Sequence, residues 1–202
     1  MMKQNKVWEY IKAIGTALVL ALVIRAYVVQ AFKIPSGSMI PTLLIGDHIL
    51  VNKFIFGTKL PLSDKRVLSI KRPERGDVVV FKYPEDRSKD FIKRVVGVEG
   101  DVVEEKNKEI FVNGKRVNEP FIQHTDNSVH TGVMEPRDNF GPYLVPKDKL
   151  FVMGDNRDQS YDSRYWGYVD MKDLRGKAFV IYWSWDSIKN FPRFGRIGSL
   201  IH

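Results

Sequence analysis

The sequence contains no cysteine and only four histidines. The absence of cysteine excludes disulfide bonds, thiolate metal sites and a cysteine nucleophile, and it fits either side of a bacterial membrane. The histidines lack the HExxH spacing of a zinc site, and no GxSxG turn is present to carry the serine of a Ser-His-Asp triad. A hydrolytic serine in this chain would therefore need a base other than histidine, and the sequence predicts no metal and no cofactor.

The chain has 202 residues, enough for one domain or for one domain with an appended segment. Lysine and arginine exceed aspartate and glutamate by 8 charges, which suits an anionic partner, either nucleic acid or a membrane surface. The most basic stretch, residues 59–75, contains no aromatic side chain. Single-strand binding combines basic with stacking side chains, so this stretch is predicted to be solvated surface.

The N-terminal region holds the longest apolar run, residues 11–32, which is broken only by Lys12 and Arg25. As a helix this run would measure roughly 33 Å, enough to cross a hydrocarbon core of about 30 Å. Two alternatives compete with a membrane anchor. A cleaved signal peptide would need a better small-residue cleavage site, and a buried soluble helix would have to desolvate Arg25. We therefore expect a membrane anchor.

The charges around this run predict its orientation. Lys3, Lys6 and Lys12 stand at or before its start, which favours an N-terminus on the cytoplasmic side. The predicted organisation is a short cytoplasmic N-terminus at 1–10, a transmembrane anchor at 11–32 and an extracytoplasmic domain at 33–202.

The remainder of the chain consists of short apolar runs rich in Val, Ile, Phe and Tyr that alternate with turns, which predicts a mainly β domain. Strands are expected at 49–51, 77–81, 91–98, 150–154 and 178–185. The segment 109–117 should form a hairpin, because Asn113 and Gly114 suit a type I′ turn. Loops are expected to dominate 118–145 and 154–175. The basic, amphipathic tail at 191–202 fits either the membrane surface or packing against the domain.

Three segments could carry chemistry. Residues 33–47 form either a plain linker or a turn that presents the hydroxyls of Ser36 and Ser38. Strand alternation at 91–96 puts Lys93 and Arg94 on opposite faces, so one of them must be partly buried. A buried lysine can lose its charge and activate a serine, although a lysine whose head reaches water is the plainer alternative.

The third segment, residues 154–167, is either a rigid Asp/Arg network or a polar surface turn. The residues alone do not separate Ser38 from Ser36 as a nucleophile. Nor do they separate Lys93 from Lys33 or Lys53 as a base.

Four segments of the chain resemble bacterial type I signal peptidases and occur in the order found in that family: PSGSMIPTLLIGDHILVNKF, RGDVVVF, FIKRVVGVEGD and GDNRDQSYDSRYWG. The resemblance implies a membrane-bound serine endopeptidase that removes signal peptides from exported preproteins. It also implies a single-pass protein of the cell membrane, whose largely antiparallel β catalytic domain lies at the outer face. The expected partners are preproteins and membrane phospholipid, with no nucleic acid. Larger members of the family have a second span and a bigger insertion between the lysine and the GDNRD segment, so the resemblance implies the compact form with a single anchor.

The resemblance also assigns roles to individual residues. Ser38 matches the nucleophile, Lys93 the general base, Ser36 a hydroxyl donor to the oxyanion, and Ser160 the serine that orients the lysine. The matches to a supporting polar network are Asp155, Asp162 and Arg164. The matches to the substrate pockets are Phe32, Ile34, Met39, Leu43 and Ile92. The alternative is a non-catalytic, membrane-anchored basic β module that binds anionic lipid or nucleic acid.

Overall fold

The computed structural model describes residues 4–59, 66–67, 70–131 and 135–202. In this part of the chain one long helix precedes a series of strands and short turns. The α-helices are α1 (Gln4–Tyr27) and α2 (Ser163–Trp166). The strands are β1 (Val29–Lys33), β2 (Asp47–Asn52), β3 (Thr58–Lys59), β4 (Arg66–Val67), β5 (Val78–Lys82), β6 (Asp90–Gly97), β7 (Val102–Lys106), β8 (Glu109–Val112), β9 (Lys115–Arg116), β10 (Phe140–Leu144), β11 (Lys149–Met153), β12 (Val169–Asp170), β13 (Leu174–Asp186) and β14 (Phe191–Pro192).

The described strands form one large antiparallel sheet, one smaller four-stranded sheet and one two-stranded sheet. The large sheet has the order β1-β2-β13-β5-β6-β11-β12, with β14 paired to β13. The smaller sheet has the order β10-β7-β8-β9, and β3 pairs with β4. The prediction of a mainly β, antiparallel domain is confirmed.

The large sheet is covered on both faces at β5. Val78 and Val80 belong to one buried apolar cluster, whereas Val79 and Phe81 belong to a second cluster. Successive side chains of a strand point to opposite faces, so alternate residues of β5 enter different clusters. The neighbouring strand β6 therefore also has protein on both sides, so side chains on either of its faces can be buried.

Most of the predicted strands are confirmed, and so is the predicted hairpin. Asn113 and Gly114 have φ angles of 54° and 72°, as a type I′ turn requires. Loops dominate the described part of 118–145 as predicted, but Phe140–Leu144 at its end forms β10. Its register shifts between Phe140 and Tyr143, so this strand lacks a regular alternation that the sequence could reveal. The predicted loop at 154–175 likewise includes β12 and the start of β13.

The N-terminal apolar run is not one continuous helix. Helix α1 ends at Tyr27, and the last part of the predicted segment 11–32 is strand β1, which pairs with β2 from Val29 to Lys33. Backbone pairing in the sheet thus decides the conformation of an apolar stretch whose composition suits either element. Among the described residues, no helix combines the length and apolar character that a bilayer span requires.

The C-terminal tail packs against the domain, which was one of its two predicted positions. Strand β14 pairs with β13, and Ile201 is buried in the same apolar cluster as Val78. The guanidinium group of Arg196 donates a hydrogen bond of 2.9 Å to the carbonyl of Thr42. Two other sequence predictions fall partly outside the described residues: the solvated basic stretch at 59–75 and the lysines that set the orientation at the N-terminus.

Candidate active site

The two candidate serines lie in the turn that joins β1 to β2. The turn is closed by hydrogen bonds from Ile40 N–H to the Gly37 carbonyl (3.2 Å) and from Leu43 N–H to the Met39 carbonyl (2.8 Å). Met39 and Leu43 are 1% and 0% exposed, so their side chains anchor the turn in the core. Ser38 lies directly before this anchor and is held in place by it.

Ser38 and Lys93 are in direct contact. Lys93 Nζ lies 2.6 Å from Ser38 Oγ, at hydrogen-bonding distance. The Lys93 side chain points inward from β6 and the residue is only 4% exposed. Lys33, the alternative lysine on β1, is exposed. The structure therefore brings the two residues of the predicted dyad together.

Burial gives Lys93 the acid–base property that a general base needs. Desolvation lowers the pKa of the Lys93 ammonium group to about 8, with nearby Arg164 lowering it further and the carboxylates of Asp162 and Asp155 acting in the opposite direction. A substantial fraction of the amine is therefore neutral near physiological pH. In that state its lone pair can accept the proton of the Ser38 hydroxyl.

Two further donors lie in the same turn. The backbone N–H of Ser38 makes no hydrogen bond to any described residue, and the same holds for the hydroxyl of Ser36. Ser36 is exposed and Ser38 is partly exposed. Both donors are thus available to a bound molecule, as the donors of an oxyanion hole must be.

Ser160 lies at the wall of the site. The residue is 6% exposed, and its hydroxyl has no hydrogen-bond partner among the described residues. A Cβ placed on Gly154 would be 2.2 Å from Ser160 Oγ and 2.4 Å from the Ser38 carbonyl oxygen, so glycine allows these groups to approach. The structure shows no hydrogen bond between Ser160 and Lys93.

The predicted supporting network consists of two separate ion pairs. Asp162 binds Arg164 through two hydrogen bonds of 2.9 Å, and both side chains are 0% exposed. Asp155 instead binds Arg94, with contacts of 2.8 and 2.7 Å. Burial alone would raise the pKa of Asp162, but the charge and hydrogen bonds of Arg164 outweigh it and hold that pKa below its usual value.

Two residues of the site were missed by the sequence analysis as functional candidates. Arg94 is the buried partner of Asp155, and strand alternation did indicate that Lys93 or Arg94 had to be buried. Asn156 binds the catalytic turn: its backbone N–H donates to the Ser38 carbonyl and its side-chain amide to the Gly37 carbonyl, both at 3.1 Å. Asn156 lies in a polar loop, and the sequence holds no signal that separates it from its polar neighbours.

The predicted substrate-pocket residues share one apolar cluster. Ile34, Met39 and Leu43 are almost fully buried in it, while Phe32 and Ile92 are partly buried and pack against it. These side chains surround the base of the turn that carries Ser38. Only Phe32 and Ile92 retain appreciable accessible surface.

The chain matches one protein family over most of its length. The family described as signal peptidase, peptidase S26, matches residues 7–183. A signal peptidase I of Pseudomonas fluorescens is 40% identical over 227 aligned positions, which cover 97% of this chain and 80% of that protein. Signal peptidase I P of Bacillus subtilis subsp. natto is 36% identical over 93% of this chain and 95% of its own length.

Among solved structures, a signal peptidase I from Enterococcus faecalis V583 matches with a TM-score of 0.43 and 27% identity, covering 53% of this chain and 97% of that chain. The family match covers most of this chain, and both sequence relatives are at least 36% identical over more than nine-tenths of it. The chain therefore belongs to the signal peptidase family, peptidase S26, and is a serine endopeptidase.

Proposed function

We propose that this protein removes N-terminal signal peptides from exported preproteins, with Ser38 as the nucleophile and Lys93 as the general base. One observation carries the assignment of the dyad: the 2.6 Å contact between Lys93 Nζ and Ser38 Oγ, with the lysine buried. A desolvated amine beside a hydroxyl replaces the histidine of a Ser-His-Asp triad.

The reaction follows from this geometry. Neutral Lys93 accepts the Ser38 proton while Oγ attacks the scissile carbonyl carbon. The resulting oxyanion receives hydrogen bonds from the Ser38 backbone N–H and the Ser36 hydroxyl. The Lys93 ammonium group then donates its proton to the leaving amine, and a water molecule activated by Lys93 hydrolyses the acyl-enzyme. Ser160 is the hydroxyl that orients Lys93; its buried oxygen has no hydrogen-bond partner among the described residues and is therefore available for this role.

Asp155, Asp162 and Arg164 support the dyad in this proposal by fixing the segment that follows β11. Asp162 accepts a hydrogen bond of 3.0 Å from the backbone N–H of Gly154, the residue that faces Ser38 and Ser160. Buried, fully bonded charges of this kind hold their surroundings in one arrangement. Their role is therefore positional.

The substrate is an extended segment with small side chains next to the cleaved bond. Strand β1 is the terminal strand of the large sheet, and its outer edge carries no strand in the described part of the chain. A preprotein can pair with such an edge through its backbone, and its small side chains then face a shallow apolar pocket. Phe32 and Ile92 line the pocket, and its floor consists of Ile34, Met39 and Leu43.

We further propose that the chain is a single-pass protein of the cell membrane, with residues 1–10 cytoplasmic, an anchor within 11–32 and the catalytic domain outside. The described apolar side chains of α1 support this assignment, because Leu18, Val19, Leu20 and Leu22 are 56% to 60% exposed. Trp183, Phe191 and Phe194 are exposed on the catalytic domain, and such aromatic side chains favour the membrane–water interface. Phospholipid is therefore the expected second partner.

A cleavage assay tests the catalytic assignment. Purified full-length protein in detergent is incubated with a preprotein, and Ser38→Ala and Lys93→Ala should each lower kcat by at least ~10³-fold. The matched controls Ser88→Ala and Lys147→Ala, at exposed positions, should retain full activity. Cleavage by Ser38→Ala at the wild-type rate would exclude Ser38 as the nucleophile, whereas absence of cleavage by the wild-type protein would favour a non-catalytic module.

A topology experiment tests the anchor. The protein should remain in membranes after alkaline carbonate extraction, and protease added to the outside of right-side-out vesicles should digest residues 33–202. Release by carbonate, or protection of the catalytic domain while an external marker is digested, would contradict the assignment.

A further inference from the structure

A short segment beyond the smaller sheet lies close to the catalytic residues. This segment, residues 119–123, follows β9 and is called the strap below. Gln123 forms a parallel β-bridge with Asn156. The N–H of Gln123 donates to the Asp155 carbonyl at 2.9 Å, and its carbonyl accepts from Arg157 N–H at 3.1 Å. The strap thus lies alongside the loop that begins at Gly154.

The strap is connected to the nucleophile through this loop. Asn156 lies opposite Gln123 in the bridge, between the two residues that bond to the strap, and its own backbone N–H and side-chain amide donate to the Ser38 and Gly37 carbonyls, both at 3.1 Å. The three segments therefore lie side by side, with the strap outermost and the catalytic turn innermost. A displacement of the strap would be transmitted to the backbone of Ser38.

The strap also contacts Arg94, the residue that directly follows Lys93 in the sequence. The ring of Phe121 lies over the guanidinium group of Arg94, with 3.7 Å between the group's carbon and the ring centroid. Arg94 is 1% exposed and binds Asp155 in the same loop. A cation–π contact to a desolvated arginine stabilises the position of its guanidinium group. Arg94 directly follows Lys93 in β6, so the ring helps to fix the strand that carries the base.

A buried ion pair holds the start of the strap. Both oxygens of Glu119 accept hydrogen bonds from the Arg157 guanidinium group, at 2.8 and 2.5 Å. The two side chains are 7% and 1% exposed, so water does not screen the pair. Arg157 also donates to the Gly154 carbonyl at 3.2 Å. The strap is therefore fixed at its first, third and fifth residues.

We infer that Glu119 and Phe121 are positioning residues for the Ser38–Lys93 dyad. Neither forms a hydrogen bond or ion pair with Ser38 or Lys93 in the described structure; they act through Arg94 on the side of the base and through the 154–157 loop on the side of the nucleophile. This inference depends on the proposed function, since it assigns residues that set the geometry of that dyad. The strap would influence the chemical step and leave the substrate pocket unchanged.

Kinetics of Phe121 variants test this inference. Phe121→Leu keeps an apolar side chain but removes the ring, and should lower kcat roughly 10-fold with KM changed less than about 2-fold. Phe121→Tyr retains the ring face over Arg94 and should restore most of the wild-type kcat. If Phe121 only stabilised the fold, the loss of activity in each variant would match its fraction of unfolded protein. Thermal unfolding of each variant measures that fraction.

Glu119→Gln provides an independent test that does not alter the core volume. It removes the negative charge of the buried pair and should lower kcat about 10-fold, whereas Glu109→Gln, which breaks the exposed pair with Arg116, should leave kcat unchanged.

If Phe121→Leu does not fold, the result for Glu119→Gln alone decides the test. Wild-type kcat in folded Phe121→Leu or in Glu119→Gln would overturn the inference, as would an equal loss in Phe121→Tyr. If the wild-type enzyme is no more active than Ser38→Ala, the proposed function itself fails.

Discussion

Lys93 and Arg94 are consecutive residues of β6, point to opposite faces of the sheet, and are both buried, at 4% and 1% exposure. Lys93 shares its face with Phe91 and Val95, which belong to the second apolar cluster, and it reaches Ser38. Arg94 shares its face with Ile92 and binds Asp155. One strand thus presents an uncompensated amine, which can lose its charge, and a paired guanidinium group, which cannot.

The pH dependence of activity should reveal the lowered pKa of Lys93. Because only the neutral amine can accept the Ser38 proton, kcat/KM should fall about tenfold per pH unit below the pKa of about 8 and level off above it. The profile of kcat/KM reports this group in the free enzyme. A midpoint near the ordinary lysine value of 10.5 would show that Lys93 is not desolvated in solution.

Gly154 lies between the turn that carries Ser38 and the loop that carries Ser160, and we expect that no larger residue can replace it. An added Cβ would lie 2.2 Å from Ser160 Oγ and 2.4 Å from the Ser38 carbonyl oxygen, and the second contact is to backbone that cannot rotate away. Gly154→Ala should therefore displace the catalytic turn and lower kcat at least ~10²-fold.

The matched control for this variant is Gly195→Ala. A Cβ at Gly195 would have no neighbour within 4 Å, so activity and thermal stability should match the wild type. The assay uses the same preprotein for both variants. Wild-type kcat in Gly154→Ala would mean that the turn can shift without loss of function.

Strand alternation and turn residues predict much of the fold from the sequence. The alternating pattern at 91–96 predicts the faces of Lys93 and Arg94 correctly, and the Asn113-Gly114 turn is where it was expected. These features are local, so neighbouring residues suffice to reveal them. The end of α1 at Tyr27 is not local, because it depends on pairing between β1 and β2.

The partners of the charged residues in the site could not be predicted from the sequence. Asp155 lies 61 positions from Arg94, and only 9 from Arg164, yet the fold pairs it with Arg94. The choice depends on which strand faces the 154–157 loop. For the same reason Phe121 and Asn156 gave no signal, since their role arises only from contacts with segments distant in the chain.

Breaking the Arg94–Asp155 pair should cost stability as well as activity. Asp155→Asn keeps the size of the side chain but leaves a buried guanidinium group without its counter-charge, a change that typically costs about 3–5 kcal/mol. Denaturant unfolding should therefore show a clearly lowered midpoint. Asp86→Asn, which weakens the exposed Lys89 pair, serves as the control and should change the midpoint little. Equal midpoints for the two variants would contradict the importance of burial.

Glu105 should make the folded state less stable as the pH rises. This β7 residue is 1% exposed, and neither carboxyl oxygen has a hydrogen-bond partner among the described residues. Burial raises its pKa from 4.5 to about 7; the charges of Arg164 and Arg157 limit the rise, and those of Asp162 and Asp138 add to it. Between pH 4.5 and about 7, Glu105 is ionised in the unfolded chain but stays protonated in the folded protein. The free energy of unfolding therefore falls as the pH rises through this range, and the full loss of stability is present above about pH 7.

Glu105→Gln removes this titration without changing the size of the side chain. At about pH 8 the variant should be more stable than the wild type, by up to about 3 kcal/mol, and the gap should close as the pH approaches about 4.5. Urea unfolding of both proteins at several pH values measures the difference between their free energies of unfolding. The other titrating groups are the same in both proteins, so their contributions cancel in this difference. A difference independent of pH would show that Glu105 is ionised in the folded state throughout, because only a carboxyl group that stays protonated there makes the stability gap grow with pH.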